Sequence, residues 1–235
     1  MKALPIGVFD SGSGGLTILE ALERELPKED FIYVSDSFYA PYGNRSMAYV
    51  EARVDAVTGF FLKIGVKAVV VACNTATNVG IKHLRERFNL PFFGVEPPLK
   101  PAAKTPGAGR ILVLCTCLTP RQQKFKELLA AHDDGRFIIR TLPSLAARVD
   151  AVYPRVSLLD NEVAALLSEY TDIVGVVLGC THYYYLKEMI EGYYGGRVPV
   201  YDARAGLCGR VKTRLGELSL LRDREAAGHT SFIRW

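Results

Sequence analysis

Two cysteines stand in matching sequence contexts, and their thiols could donate or accept protons. Cys73 follows the apolar run 69–72, and Cys180 follows the apolar run 175–178 and a glycine. Each is followed by two polar residues and a helix-like pattern. A cysteine between a strand and a helix faces the helix N-terminus, where the dipole favours the thiolate. Each could instead be a small buried core side chain, but the repeated context favours a catalytic role for both cysteines.

Two further titratable residues, Asp10 and His182, follow predicted strands in the same way. Asp10 ends the first apolar run and precedes the glycine-rich turn 11–15. That turn could bind an anion through its backbone N–H groups, although Asp10 could equally be a helix N-cap beside a tight turn. His182 comes directly after Cys180 and Thr181, so it could act as an acid–base group or orient a neighbour.

Strand-like and helix-like patterns alternate along the whole chain. The predicted strands are 6–9, 31–34, 66–72, 92–95, 111–114, 137–141, 173–178 and 198–201. The main predicted helices are 16–26, 46–61, 122–131, 159–170, 182–194 and 205–215. This alternation predicts an α/β fold of two domains with parallel sheets. Ligands of such sheets bind at the carboxyl ends of the strands, where both cysteines are expected.

A stretch rich in proline and glycine, residues 97–109, is the clearest linker in the sequence. We therefore expect residues 98–205 to form the second domain. Residues 1–97 together with 206–235 would form the first. The C-terminal helix is expected to return to the first domain because the remaining chain is too short to build its own core.

Composition and charge exclude several classes of protein. The chain has 235 residues, of which 49% are hydrophobic, and a formal net charge of +4. These values are typical of a globular protein. The charge is too small to indicate a nucleic-acid partner and is compatible with an acidic small molecule. No apolar run approaches the roughly 18 residues that a membrane span requires.

The five cysteines indicate free thiols rather than disulfides or a metal site. Their number is odd, and Asp10 interrupts the short N-terminal apolar stretch that an export signal would need. Both observations predict a reducing, cytoplasmic location. Cys115 and Cys117 are separated by one residue, which does not match a zinc knuckle, so no metal is expected.

Four motifs resemble those of the glutamate racemase family, within the aspartate/glutamate racemase superfamily. They are Ile6-Gly-Val-Phe-Asp-Ser-Gly-Ser-Gly-Gly-Leu16, Pro41-Tyr-Gly-Asn-Arg-Ser46, Ala72-Cys-Asn-Thr-Ala76 and Leu178-Gly-Cys-Thr-His182. They occur in the family's order and span nearly the whole chain. The resemblance implies two pseudo-symmetric α/β domains with the active site in the cleft between them.

The resemblance also implies a cofactor-independent racemase that interconverts L- and D-glutamate and supplies D-glutamate for peptidoglycan. By this resemblance Cys73 and Cys180 form the catalytic pair, supported by Asp10 and His182. Cys73 would take the α-proton of the D-enantiomer and Cys180 that of the L-enantiomer. The substrate-binding residues would be Asp10, Ser11, Tyr42, Gly43, Asn74, Thr75, Thr119, Thr181 and His182. A homodimer is a further expectation from the family.

The sequence departs from the family pattern at several places that bear on specificity. Asp150 stands where many members carry a glutamate, and the segment 115–119 replaces a more usual Gly-Thr start while keeping Thr119 toward the substrate. Two alternatives to a glutamate racemase therefore stay open. One is a racemase for aspartate or another acidic amino acid, and the other is a non-catalytic amino-acid-binding protein on the same fold.

Overall fold

The computed structural model describes residues 1–235 and contains two parallel β-sheets. The strands of the first sheet are β1 (Ile6–Asp10), β2 (Phe31–Ser35), β3 (Ala68–Val71), β4 (Phe92–Gly94) and β9 (Thr230–Arg234), in the spatial order β4-β3-β1-β2-β9. The strands of the second sheet are β5 (Arg110–Cys115), β6 (Phe137–Thr141), β7 (Ile173–Leu178) and β8 (Val200–Tyr201), in the order β6-β5-β7-β8. All strand pairs are parallel, which confirms the predicted fold class.

Helices connect the strands in both halves. They are α1 (Leu16–Glu25), α2 (Met47–Ile64), α3 (Asn74–Arg87), α4 (Leu99–Ala103), α5 (Gln123–Ala130), α6 (Leu145–Val152), α7 (Asp160–Ser168), α8 (Lys187–Tyr193) and α9 (Arg204–Glu217). Short 3₁₀ helices cover Ser37–Tyr39, Tyr42–Asn44, Thr119–Arg121, Val156–Leu159 and Thr181–Leu186. No helix has both the length and the apolar character needed to cross a membrane.

Helix α2 shows how local sequence determines the boundaries of these elements. The Ser46 hydroxyl accepts a hydrogen bond from the Tyr49 N–H at 3.2 Å, which caps the first turn. At the other end Gly65 adopts a φ of 77° and donates its N–H to the Phe61 carbonyl. A side chain is disfavoured at this φ, so glycine ends the helix at low cost.

The central strands are buried on both faces, as expected for parallel sheets covered by helices. Every residue of β1 and of β3 is buried. Helices α1 and α9 belong to a core layer that continues from the first sheet to the second, while α2 and α3 cover the opposite face of the first sheet. The two halves therefore share part of their packing.

The structure differs from the sequence-based elements at four places, one of which is α6, where no helix was predicted. The linker 97–109 contains α4. Pro101 is compatible with this helix because it lies in the first turn, where the N–H that proline lacks would have no intrahelical partner. The helix predicted over 182–194 is a 3₁₀ helix followed by α8. The C-terminal tail, for which no element was predicted, supplies β9 beside β2.

The C-terminal part of the chain lies against the first sheet, with α9 packed on α1 and β9 at the sheet edge. The residues at which one domain passes into the other, 97/98 and 205/206, stay a prediction.

Candidate active site

The carboxyl ends of the central strands of both sheets face one cleft. The cleft is narrow and partly enclosed, and residues of both halves line it. Among the predicted site residues it is lined by Ser11, Tyr42, Gly43, Cys73, Asn74, Thr75, Cys180, Thr181 and His182. The structure thus brings residues that are distant in sequence to one cavity.

Cys73 is the N-cap of α3 and is surrounded by weak hydrogen-bond partners. Its Sγ lies 3.5 Å from the Ser11 hydroxyl oxygen and accepts from the Ala76 N–H at 3.5 Å. Burial, together with the nearby Asp10 carboxylate, raises the pKa of the Cys73 thiol to about 12. Desolvation thus opposes the thiolate that the N-terminus of α3 would favour at Cys73.

Cys180 stands at the corresponding place in the second half, but its partner is an imidazole. Its Sγ lies 3.8 Å from His182 Nδ1, and His182 Nε2 lies 2.9 Å from Asp150 Oδ2. Burial alone would lower the pKa of His182, but the hydrogen bonds with Asp150 and Cys180 reverse this effect and raise it well above its usual value. A protonated His182 can donate one N–H to Asp150 and the other to the sulfur of Cys180.

Asp150 is held in its ionised form by the same contacts. Burial opposes ionisation, but His182 and the backbone and hydroxyl of Ser13 lower the pKa of Asp150. The Ser13 hydroxyl donates to Asp150 Oδ1 at 2.5 Å and the Ser13 N–H at 3.1 Å. A residue of the first half thus fixes a carboxylate of the second half, which in turn orients the imidazole.

Asp10 lies behind the cleft wall instead of on it. It is fully buried, and its two carboxylate oxygens accept from the Gly12 N–H at 2.6 Å and the Thr181 hydroxyl at 3.1 Å. Burial raises the pKa of Asp10 to about 6, against the lowering effects of His182 and the Gly12 N–H. Asp10 can therefore change charge near neutral pH, but in this structure it accepts from Thr181 and does not line the cleft.

The glycine-rich turn is needed for close approach of the two halves. A Cβ on Gly12 would lie 2.7 Å from Asp150 Oδ2, and a Cβ on Gly14 would lie 2.6 Å from the His182 backbone nitrogen. The N–H groups of Gly12 and Ser13 donate to Asp10 and Asp150, as described above. The anions that these N–H groups bind are therefore the protein's own carboxylates, which corrects the expectation of an external anion at that part of the turn.

Thr119 does not reach the cleft, and Thr116 occupies the wall in front of it. Thr119 is fully buried, with its hydroxyl 3.0 Å from that of Thr116. Thr116 lines the cleft and lies 3.1 Å from the hydroxyl of Thr75 in the other half. Thr119 is the first residue of a 3₁₀ helix, and its hydroxyl contacts Thr116 instead of the cavity.

Tyr42 contributes its ring and backbone to the cleft but not a free hydroxyl. The phenol is 1% exposed and donates its O–H to Asp36. A ligand can therefore contact the Tyr42 ring or the backbone of the 42–43 turn.

Several polar groups on the cleft wall have no partner in the protein. Neither the side-chain oxygen nor the side-chain nitrogen of Asn74 makes a hydrogen bond, although Asn74 is only 2% exposed. The backbone N–H groups of five lining residues also make none within the chain: Ser11, Gly43, Asn74, Thr75 and Thr181. Buried donors without partners are rare, and a bound anion would satisfy them.

Two residues of the site, Asp150 and Thr116, are poorly indicated by the sequence patterns. Asp150 was recognised only through a loose comparison with the family, since a lone aspartate on a short helix carries no signal of its own. Thr116 was not predicted, although its position directly after β5 would have indicated it by the rule that strand carboxyl ends bind ligands. No group of three or more histidine, cysteine or acidic side chains is arranged to hold a metal ion.

Comparisons with known proteins show the family to which the chain is similar. Residues 6–207 match the model of the Asp/Glu/Hydantoin racemase family. A glutamate racemase of Clostridium botulinum (strain Kyoto) is 35% identical over 232 residues, covering 97% of this chain and 90% of the relative.

Two solved structures show the same fold. The glutamate racemase isoform RacE1 of Bacillus anthracis has a TM-score of 0.87 at 31% identity, covering 100% of this chain and 89% of that one. The Escherichia coli glutamate racemase, solved with L-glutamate and the activator UDP-MurNAc-ala, has a TM-score of 0.76 at 30% identity, covering 95% and 85%. The family expected from the four motifs is confirmed: the chain belongs to the Asp/Glu/Hydantoin racemase family and is an isomerase.

Proposed function

We propose that this protein interconverts L- and D-glutamate without a cofactor, using Cys73 and Cys180 as the two proton-transferring groups. The observation that carries the proposal is the position of the two thiols. Each follows a central strand of a different sheet, and both lie on the wall of one cleft. The product D-glutamate would serve peptidoglycan synthesis in the cytoplasm.

Racemisation requires groups on both faces of the α-carbon. One thiolate removes the α-proton, and the opposite thiol returns a proton to the other face, so the roles reverse with the direction of reaction. A single fixed base could reach only one face. The pseudo-symmetric placement of Cys73 and Cys180 supplies the second group.

The two thiols have different supporting groups. A charged His182 beside Cys180 can stabilise a thiolate there through its Nδ1–H. Cys73 has only hydroxyl and backbone N–H partners, and burial raises the pKa of its thiol, which favours the protonated form. A bound substrate brings an ammonium group, whose positive charge favours deprotonation of a nearby thiol.

The unpaired donors of the wall would bind the carboxylates of the substrate and stabilise the transition state. Removal of the α-proton places negative charge on the α-carbon and its carboxylate. Fixed N–H donors stabilise such charge because they need not reorient during the reaction. The donors that could do this are the backbone N–H groups of Ser11, Gly43, Thr75 and Thr181 and the Asn74 amide.

A dicarboxylate substrate fits the distribution of these donors better than a monocarboxylate. Ser11 and Thr75 belong to the first half of the chain, and Thr181 belongs to the second. Donors therefore lie on both walls, so that two carboxylates can be held at once. The relatives named above are glutamate racemases, and the E. coli protein was solved with L-glutamate, which favours glutamate over aspartate.

The test is to incubate the purified protein with D-glutamate and, separately, with D-aspartate, and to follow optical rotation without added cofactor. We expect the rotation of the glutamate solution to decay to zero and that of aspartate to change far more slowly. Cys73→Ala is the control for contaminating racemase. A wild-type protein that racemises only aspartate would overturn the glutamate assignment, and one that racemises neither would overturn the enzymatic proposal.

A further inference from the structure

We propose that Arg53, which lies outside every motif of the site, is a positioning residue that fixes the substrate-binding turn through Asp36 and Tyr42. The expected effect on KM rests on the proposed function, whereas the expected effect on the mobility of the turn does not.

Arg53 on α2 holds Asp36 in a two-pronged ion pair. Its Nε donates to Asp36 Oδ2 at 2.9 Å, and its Nη2 donates to Asp36 Oδ1 at 2.7 Å. The Asp36 side chain is completely buried, and that of Arg53 is 15% exposed. A buried carboxylate requires such a partner, and the planar guanidinium fixes its orientation as well as its charge.

The same carboxylate accepts the hydroxyl of Tyr42, so the pair fixes the aromatic ring that lines the cleft. Asp36 is also anchored at its backbone, because its N–H donates to the Asp10 carbonyl at 2.9 Å. Asp36 therefore connects the end of β1, the guanidinium of Arg53 and the Tyr42 ring on the cleft wall.

The backbone of the turn that carries Tyr42 has few hydrogen bonds, although the Tyr42 ring also packs against Phe9 and the Asn44 side chain donates to the Pro143 carbonyl. The backbone hydrogen bonds of the turn include that from the Arg45 N–H to the Tyr42 carbonyl and that from the Leu118 N–H to the Gly43 carbonyl. The Gly43 N–H is left free to meet a ligand. The direction in which this N–H points depends on where the Tyr42 side chain is fixed.

Arg53 is itself held by aromatic stacking. Its guanidinium carbon lies 3.5 Å from the centroid of the Tyr39 ring and 5.5 Å from that of Trp235. These contacts hold the planar guanidinium in place against Asp36 and explain why lysine, which has neither the fork nor the flat face, is a poor replacement.

The variants that test this proposal are Arg53→Met, which keeps an apolar stem but removes the charge, and Arg53→Lys, which keeps the charge but not the fork. The matched control is Arg87→Met. Arg87 also pairs with a carboxylate of α2, with its Nη1 2.6 Å from Asp55 Oδ2, but this pair is exposed and does not line the cleft.

The first measurement is amide hydrogen exchange of residues 37–45 in the substrate-free protein. We expect faster exchange in Arg53→Met by about 10-fold, a weaker effect in Arg53→Lys, and none in Arg87→Met, since the charge-assisted bonds of Arg53 hold Asp36 and, through Asp36, the Tyr42 hydroxyl. Equal exchange in Arg53→Met and Arg87→Met would overturn the positioning role. This outcome does not depend on whether the protein racemises glutamate.

The second measurement is the steady-state kinetics of glutamate racemisation. We expect Arg53→Met to raise KM about 10-fold with kcat changed less than about 3-fold, because the turn binds substrate and transition state alike. In a Tyr42→Phe background the same substitution should change KM less than about 2-fold, since the contact it acts through is absent. An undiminished effect in that background would overturn the route through Tyr42. A wild-type protein inactive on glutamate would instead refute the proposed function alone.

Discussion

His182 Nε2 lies 2.9 Å from Asp150 Oδ2 while His182 Nδ1 lies 3.8 Å from Cys180 Sγ, so one imidazole connects a carboxylate to a thiol. When Nε2 is protonated, the carboxylate accepts a hydrogen bond from it, and Nδ1 faces the sulfur. The thiol in the other half, Cys73, has no corresponding imidazole. The two cysteines thus occupy equivalent positions in the fold but have unequal chemical support.

Removal of the charge of Asp150 tests the importance of this connection. We expect Asp150→Asn to reduce kcat/KM by about 10- to 100-fold, at the lower end of what acid–base groups contribute, because His182 loses the carboxylate that favours its protonated form. The two enantiomers have equal free energies, so kcat/KM must fall equally in both directions. Circular dichroism of both reactions provides the measurement.

A matched control for this variant is Asp160→Asn, since Asp160 is an exposed aspartate at the start of α7. It should leave kcat/KM unchanged. An Asp150→Asn protein that is as active as this control would refute the role of the carboxylate.

The decrease of kcat/KM at acidic pH should reflect the protonation of Asp10. Burial raises the pKa of Asp10 to about 6. Above this pH the carboxylate is charged and accepts from Thr181, and below it the group is neutral. We expect kcat/KM to fall as the pH drops through about 6, and we expect this limb to be absent from Asp10→Asn, which should be slow at every pH. A limb that persists in Asp10→Asn would assign the titration to another group.

The glycine turn provides a steric prediction. Gly14→Ala should destabilise the protein by about 1–3 kcal/mol, the usual cost of overpacking, because its Cβ would lie 2.6 Å from the His182 backbone nitrogen. Gly192→Ala is the control, since a Cβ on this α8 residue meets nothing within 4 Å. Urea denaturation of both proteins gives the comparison. A Gly14→Ala protein as stable as the control would show that the two halves separate without cost.

Fold and site were predictable to different degrees from the sequence. The strands that end at Asp10 and before Cys73 and Cys180 carry long apolar runs, so their places and the cysteine pair followed directly. The short β9 is a half-exposed edge strand with residues Thr230–Arg234, and it lacks an apolar run that would have marked it.

The parts of the site that were missed depend on contacts between distant segments. Nothing local indicates that the Tyr42 hydroxyl is bound by Asp36, or that Thr116 shields Thr119 from the cleft. The protonation states of Cys73 and His182 could not be inferred either, since burial and neighbouring charges determine them.

A buried ion pair outside the cleft provides a stability prediction. Lys67 Nζ contacts Glu29 Oε2, and both side chains are almost completely buried. We expect Lys67→Met to lower the free energy of unfolding by about 3–5 kcal/mol, because the buried Glu29 carboxylate loses its cationic partner and keeps only the hydrogen bond from the Arg222 N–H.

The exposed pair of Lys82 with Glu86 supplies the control for that measurement. Lys82→Met should leave the urea midpoint nearly unchanged, as expected for a surface pair. Equal midpoints for the two variants would contradict the importance of burial at Lys67.

The central claim, one cysteine for each enantiomer, is tested most directly by a reaction that needs only one base. A β-chloro acidic amino acid loses chloride once its α-proton is removed, so elimination does not require inversion. We expect Cys73→Ala and Cys180→Ala each to lose racemisation entirely. From the family resemblance, Cys73→Ala should still eliminate chloride from the L-enantiomer only, and Cys180→Ala from the D-enantiomer only, as measured by chloride release. Elimination from both enantiomers at the wild-type rate in both variants would contradict the two-cysteine mechanism.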